Sequence, residues 1–142
     1  MTVVHTTTVH GYVTFRIGER EFAAALDGIR EVLRLDGLVS LPGMTAPMAG
    51  VVELRGAPLP VMDLRGVGAS RGDVLVLAEG EDAIGVAVDG VVAVRDVTEL
   101  RPRAEAGVPA ALPAYVVEVL HDIATDRPVL LVDLRRMLEL AA

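Results

Sequence analysis

The stretches YVTFRIGEREFAAALDG (residues 12–28) and VLVLAEGEDAIGVAVDG (residues 74–90) align without a gap at an offset of 62 positions. Gly18 falls on Gly80, and the Asp-Gly pair that ends one stretch falls on the pair that ends the other. From Tyr12 to Ile17 the side chains alternate with the period of a half-buried strand, and the second stretch is denser in β-branched residues. Both stretches are therefore predicted to form β-hairpins.

A second repeat follows the first in the same order. VVELRGAPLPVMDLR (residues 51–65) matches VVEVLHDIATDRPVLLVDLR (residues 116–135), which has a longer connection between its two apolar runs. Two matches in one order favour an internal duplication. The repeat units are predicted at about residues 12–67 and 73–140, after a flexible leader at residues 1–11.

Short strands with little helix predict an all-β protein, and two small barrels of about five strands each fit the length and leave few exposed edges. Ile29–Leu35 is predicted as a strand that opens with one helical turn, and Leu41–Gly50 as an ordered loop. Gly66–Gly72 is predicted to be a flexible linker between the two units. Asp133 is predicted to cap a short C-terminal helix at Leu134–Leu140.

Composition excludes several classes of protein. The 142 residues include no cysteine, so the chain has neither disulfides nor thiolate chemistry. A net charge of −7 argues against a nucleic-acid partner, which selects for clustered positive charge. The first ten residues lack the pattern of a signal peptide, and no apolar run is long enough to span a membrane. A soluble protein is expected.

The residue types that carry catalysis or bind metals are few and poorly placed. His5 and His10 lie in the leader and His121 in the connection of the second hairpin, without the spacing of a metal motif. Neither Ser40 nor Ser70 has the glycine frame of a hydrolase nucleophile. The carboxylates are scattered or lie at a hairpin tip, where water surrounds them. We expect no enzyme activity, no metal and no cofactor.

The hairpin at residues 51–65 presents a candidate contact residue. If Val52 and Leu54 face the core, Glu53 and Arg55 share the outer face of the strand. An arginine on a strand beside the Gly56 turn is placed for bidentate contact with a partner. The alternative is a surface ion pair between Glu53 and Arg55, which the residues alone favour.

The loop before this hairpin contains methionines that suit an adaptable contact surface. Met44 and Met48 flank the prolines of the loop. Filling of the core is an equally good explanation for these side chains.

These residues together resemble the CheW family of bacterial chemotaxis coupling proteins, which are related to the regulatory domain of the CheA histidine kinase. The resemblance runs from about Tyr12 to Leu140. It rests on the first hairpin, on the spacing Val39-x-x-Pro42-x-x-x-x-Pro47-x-x-Gly50, and on the string G-x-x-x-L-R-G-x-x-x-P-V-x-D-L from residue 50 to residue 64. The string is the most specific of the three.

The resemblance implies a fold and a role. The fold is two intertwined five-stranded SH3- or OB-like β-barrels, in agreement with the duplication. Members of the family are scaffolds without catalytic activity that bind the CheA regulatory domain and the cytoplasmic tips of chemoreceptors. The expected location is the cytoplasm, with recruitment to receptor arrays at the membrane but no insertion into it.

The family's receptor-facing arginine falls on Arg55. The resemblance also implies that Ile29, Glu31 and Val32 contact the receptor beside it, with Glu53 adjacent. A partner-binding loop is implied at Met48, Gly50 and Gly56.

One departure from the family pattern keeps a second role open. Many members have asparagine at the position of Glu53, so this chain places a negative charge beside Arg55. That charge is expected to alter receptor preference or to hold Arg55 in an internal ion pair until a partner displaces it. The alternatives are a CheW-like adaptor for a different motility or polarity partner and a small-ligand-binding β-barrel, which would need a sizeable internal cavity.

Overall fold

A computed structural model describes residues 11–65, 71–102 and 108–141 of the chain. Of the predicted leader, residues 1–10 lie outside this part, and Gly11 is the first residue of β1. The strands of the first unit are β1 (Gly11–Ile17), β2 (Arg20–Ala25), β3 (Glu31–Arg34), β4 (Met48–Leu54) and β5 (Ala57–Asp63). Those of the second are β6 (Asp73–Glu79), β7 (Asp82–Val88), β8 (Gly90–Asp96), β9 (Leu100–Pro102), β10 (Val116–Asp122) and β11 (Pro128–Val132), followed by helix α1 (Leu134–Leu138).

The two units exchange strands. One sheet, here called sheet A, has the order β8-β1-β2-β11-β10-β9, and sheet B has the order β3-β6-β7-β5-β4. Each sheet therefore contains the first hairpin of one unit and the later strands of the other. The prediction of an all-β protein with two interlocked sheets and a short C-terminal helix is confirmed. Sheet A has six strands rather than five because β9 adds a three-residue edge strand.

The register of the sheets repeats with the offset found in the sequence. Within the first hairpin of each unit, Phe15 is opposite Phe22 and Leu77 is opposite Ile84, an offset of 62 on both strands. The parallel pairings that join the two units repeat in the same way. Leu131 pairs with Ala23 in sheet A, and Val61 pairs with Gly85 in sheet B.

The central strands are apolar throughout because both of their faces are buried. In β6, Leu75 and Leu77 point into a large cluster shared by both sheets, whereas Val74 and Val76 point into a smaller cluster inside sheet B. The shared cluster also contains Phe15, whose ring stacks on Phe22 with centroids 5.8 Å apart. A third cluster, inside sheet A, consists of Ala23, Leu100, Leu120 and Val129. This burial of two faces accounts for a hydrophobic content of 52% in a chain with few aromatics.

Sheet B curls until its two edges meet. Val39, in the segment after β3, forms an isolated antiparallel bridge with Val51 of β4, and the two residues exchange backbone hydrogen bonds of 2.9 Å. Since β3 and β4 are the opposite edges of the sheet, this bridge brings the sheet close to a barrel. The interior is filled by the side chains of its own cluster.

The local predictions are largely met. The strand predicted at Ile29–Leu35 is present as β3, but the helical turn lies before it, as a 3-10 turn at Leu26–Gly28, and not at its opening residues. Asp133 caps α1 by accepting hydrogen bonds from the backbone N–H groups of Arg135 and Arg136, and a 3-10 turn at Glu139–Ala141 continues the helix. The predicted linker lies mostly outside the described residues.

The prediction of a loop at Leu41–Gly50 is wrong at its last three positions, because β4 begins at Met48. Met48 and Gly50 belong to β4, where Gly50 is buried and Met48 packs against the shared cluster. A Cβ on Gly50 would collide with the carbonyl oxygen of Val39, so the close approach of the two sheet edges requires glycine here.

Candidate functional site

Arg55 occupies the tip of the β4–β5 hairpin rather than the strand itself. It forms the two-residue turn with Gly56, and both residues have positive φ, 51° and 83° respectively. Two such residues in sequence are the pattern of a type I′ hairpin turn, which matches the twist of the flanking strands. The turn therefore holds Arg55 in a left-handed conformation that non-glycine residues rarely adopt.

The guanidinium of Arg55 makes a bidentate ion pair with Glu31 of β3. Nη1 donates to Oε2 at 2.9 Å and Nη2 donates to Oε1 at 2.8 Å. The hydrogen bond from Arg55 lowers the pKa of Glu31 below its ordinary value. The pair joins the tip of the β4–β5 hairpin to the opposite edge of sheet B, so it lies across the seam at which the sheet closes.

This ion pair is open to solvent on the side of the arginine. The side chain of Arg55 is 71% exposed and that of Glu31 is 28% exposed. The corresponding pair in sheet A joins Arg95 of β8 to Asp122 at the end of β10, with 3.0 Å between Nη2 and Oδ2. Those side chains are only 18% and 13% exposed. Both seams carry an arginine–carboxylate pair, but the arginine is largely exposed in sheet B and largely buried in sheet A.

The structure brings some of the predicted receptor residues together and separates others. Val32 is exposed beside Glu31 on the edge strand β3, whereas Ile29 precedes that strand and packs against the shared cluster. Glu53 is exposed on β4, and the carboxylate that holds Arg55 is that of Glu31. The expectation of an ion pair between Glu53 and Arg55 is therefore wrong, because Arg55 leaves the strand direction at the turn.

The predicted partner-binding loop is not a single surface. Gly56 lies in the exposed turn beside Arg55, whereas Gly50 is buried and Met48 is half-buried in β4. Contact of these residues with a partner stays a prediction, and Gly56 is the one that lies next to the exposed ion pair.

A second arginine makes a buried network that the sequence did not reveal. Two nitrogens of Arg65 donate to the carboxylate of Asp63 at 3.0 Å each, and Nη1 donates to Asp89 at 3.1 Å. The side chains of Arg65 and Asp63 are 5% and 4% exposed. Asp89 also accepts a hydrogen bond of 2.6 Å from the backbone N–H of Gly18, and this bond is the main cause of its lowered pKa. The network ties the end of β5 to the β7–β8 and β1–β2 connections.

The prediction that His121 lies in the connection of the second hairpin is wrong, because this residue belongs to β10. It is half-buried, and its Nδ1 is buried without a hydrogen-bond partner. Within residues 11–65, 71–102 and 108–141, no group of three or more metal-ligating side chains is placed to hold a metal ion. In the same ranges no helix is long and apolar enough to cross a membrane.

The two interlocked β-sheets place the chain in a class of small two-barrel proteins. Its candidate site, the exposed arginine at the seam of one sheet, is a contact surface. A family model described as CheW-like domain matches residues 11–142. The chain belongs to this family.

Curated relatives agree with the family. The chain is 28% identical over 138 residues to the chemotaxis protein CheW of Klebsiella aerogenes, a match that covers 89% of this chain and 80% of the relative. It is 33% identical over 94 residues to a probable chemotaxis protein CheW of Rhizobium etli, where the match covers 61% of each protein. The chain thus spans less than two thirds of that second relative's length.

A solved structure has the same fold. The scaffolding protein TtCheW from Thermoanaerobacter tengcongensis superposes with a TM-score of 0.69 and 20% sequence identity. The superposition covers 92% of this chain and 88% of the other.

Proposed function

We propose that this protein is a non-enzymatic adaptor that couples chemoreceptors to a CheA-type histidine kinase in the cytoplasm. In this role it is recruited to receptor arrays at the membrane through its partners. The surface around Arg55 contacts the cytoplasmic tip of a receptor, and another part of the two-barrel domain contacts the kinase regulatory domain. Rearrangement of the receptor then shifts the conformational equilibrium of the kinase.

The observation that carries the proposal is the exposed ion pair between Arg55 and Glu31. A guanidinium that is 71% exposed and already oriented by a carboxylate is preorganised for a second acceptor. The hairpin turn fixes its backbone, so little conformational entropy is lost when a partner binds.

The surroundings of the ion pair suit a contact with an amphipathic helix. Val32 follows Glu31 in β3 and is 42% exposed, so an apolar side chain lies on the other face of the same edge strand. Protein interfaces combine an apolar centre with a polar rim, and arginine is enriched among the residues that dominate binding energy. Arg55 is the residue expected to matter most.

The experiment measures binding to the receptor and to the kinase separately. The purified protein is mixed with a receptor signalling fragment, or with the regulatory domain of the same organism's CheA-type kinase, and binding is measured by co-sedimentation or interferometry. Arg55→Glu is expected to weaken receptor binding at least ten-fold, because reversal of the charge removes the guanidinium and opposes Glu31. Kinase binding is expected to stay within two-fold of wild type.

A matched control keeps the change of charge constant. Arg127→Glu reverses an exposed arginine in the connection between β10 and β11, the second unit's counterpart of the Arg55 hairpin. It should leave both affinities unchanged. Equal weakening by Arg55→Glu and Arg127→Glu would mean that overall charge, and not the ion pair at the seam, controls binding.

A relative adapted to a different partner is the second candidate, and Glu53 favours it. Its exposed carboxylate lies on β4 near the hairpin tip, where it adds negative charge to the proposed contact surface. Glu53→Asn tests this candidate. If the substitution creates or strengthens binding to chemoreceptor fragments that wild type ignores, the wild-type surface is adapted to another protein.

A further inference from the structure

The duplication places two copies of one charged motif, an arginine with two aspartates, in the molecule. The two copies differ in whether the arginine lies between the aspartates. In the first copy, Arg65 is buried between Asp63 and Asp89. The second copy consists of Arg135, Asp133 and Asp27, which correspond to these residues through the offsets of the repeat. The backbone geometry is shared, because the N–H of Arg65 donates to Asp63 and that of Arg135 donates to Asp133, both at 2.9 Å.

The side chains of the second copy are arranged differently. Asp27 is exposed and makes no ion pair among the described residues, and Arg135 is exposed at the start of α1. Whereas Gly18 donates to Asp89 in the first copy, no hydrogen bond joins Gly80 to Asp27 in the corresponding place of the described chain. Arg135 therefore does not bridge the two carboxylates as Arg65 does, and Asp133 instead makes a long, exposed ion pair with Arg136, whose Nε lies 3.8 Å from Oδ2.

A cavity of about 760 Å³ occupies this position, between the two sheets and α1. Asp27, Gly80, Asp133 and Arg135 all line it, and Glu139 adds a further carboxylate. Three acidic side chains and one basic side chain give the lining a net negative charge. Its walls include Leu77 and Leu138, which provide an apolar surface for an aliphatic chain.

We propose that this cavity binds the side chain of an arginine from a partner protein. The guanidinium would lie between Asp27 and Asp133, as that of Arg65 lies between Asp89 and Asp63, and the methylene stem would pack on the leucines. Arg65 in the first copy thus shows that this motif can hold a guanidinium. A planar guanidinium with five donors fits two carboxylates better than an ammonium group does.

The site is distinct from the surface around Arg55. None of the residues named above as receptor contacts lines the cavity. The inference therefore stands whether or not Arg55 contacts a chemoreceptor, and loss of one site would leave the other intact.

The test uses small probes on the full-length protein. N-acetyl-arginine amide is titrated into isotope-labelled protein and the backbone amide shifts are followed by NMR. The uncharged isostere N-acetyl-citrulline amide and the ammonium analogue N-acetyl-lysine amide serve as ligand controls. The arginine probe is expected to shift the amides of residues 27, 28, 80 and 133–135 in a saturable manner. The citrulline probe should bind at least ten-fold more weakly.

Two substitutions with opposite expected effects separate a basic occupant from an acidic one. Asp27→Asn should weaken the arginine probe about ten-fold, because it removes one of the two carboxylates. Arg135→Gln should strengthen it, because a like charge leaves the lining. Asp36→Asn, which removes an exposed carboxylate after β3, is the matched control and should have no effect.

Three outcomes would overturn the proposal. One is equal binding of the arginine and citrulline probes, and another is weaker binding in Arg135→Gln, which would indicate an anionic ligand. The third is a set of shifts around the cavity that depends on protein concentration without any probe, since a second copy of the chain would then cover it. Wild-type-like spectra of Asp27→Asn outside the cavity establish that this variant is folded.

Discussion

Replacement of Arg65 by methionine should cost the protein a large part of its stability. The side chains of Arg65 and Asp63 are 5% and 4% exposed, so the substitution leaves the carboxylate of Asp63 buried and without its partner. Removal of one member of a buried ion pair typically costs about 3–5 kcal/mol. We expect about 3 kcal/mol, the low end, because Asp89 is 46% exposed and regains water when the arginine is lost.

The repeat provides a control at the corresponding position. Arg135→Met removes the same side chain from the same Asp-Leu-Arg sequence, but this arginine is exposed. Its cost should be within about 0.5 kcal/mol. For a chain of this length the expected loss in Arg65→Met lowers the melting temperature by roughly 10 °C.

Urea unfolding followed by circular dichroism measures both variants, with the slope of the transition as a check that the unfolded states are comparable. A loss of less than 1 kcal/mol in Arg65→Met, or an equal loss in Arg135→Met, would refute the argument from burial. Adding Asp63→Leu to Arg65→Met should recover part of the stability, because no buried charge then remains unpaired.

Three further predictions concern other parts of the molecule. The pKa values of Asp89, Glu31 and Asp122 are lowered in the folded state, so the unfolded chain binds more protons than the folded protein as the pH falls. The three carboxylates contribute their full stabilisation above their ordinary pKa values of about 4, and this stabilisation is lost as the pH falls below those values. Urea midpoints measured between pH 7 and pH 3 should therefore fall in acid, and Asp89→Asn should make that fall shallower; an equally steep fall in this variant would contradict the role of Asp89. Gly85→Ala places a Cβ 2.5 Å from Cγ1 of Val74 and 3.3 Å from Cδ2 of Leu59. The free energy of unfolding, measured by thermal unfolding, should fall by about 1–3 kcal/mol because of overpacking. An unchanged melting temperature would mean that β6 can shift. Asp133→Ala removes the cap of α1 and should cost about 1 kcal/mol in urea unfolding, whereas a variant as stable as wild type would show that the packing of Met137 alone holds the helix.

The strands were predictable because the repeat is visible in the residues themselves. The offset of 62 between the first hairpins recurs in the register of the sheets, so turn positions and strand partners within each hairpin follow from the sequence. The exchange of strands between units does not follow from the sequence, because periodicity indicates which face of a strand is buried but not which strand lies beside it. The interlocked arrangement was predicted only from the resemblance to the CheW family.

The ion pairs show a different limit. Sequence proximity suggested Glu53 as the partner of Arg55, but the true partner is 24 positions away and becomes adjacent only when the edges of sheet B meet. The contrast between Arg65 and Arg135 is sharper still. Both follow the same Asp-Leu dipeptide, yet Arg65 is buried in a network with Asp63 and Asp89, whereas Arg135 is exposed at the start of α1. Such differences are set by tertiary packing and have no local signal.

The central claim is that this protein bridges a receptor and a kinase, and one measurement tests it directly. Membranes or nanodiscs that display a chemoreceptor are sedimented with the CheA-type kinase of the same organism, with and without this protein, and the kinase in the pellet is quantified. The account predicts that the kinase in the pellet rises several-fold when wild-type protein is added, and that Arg55→Glu abolishes the rise while still binding the kinase in solution. The same amount of kinase in the pellet with and without the protein would contradict the coupling role.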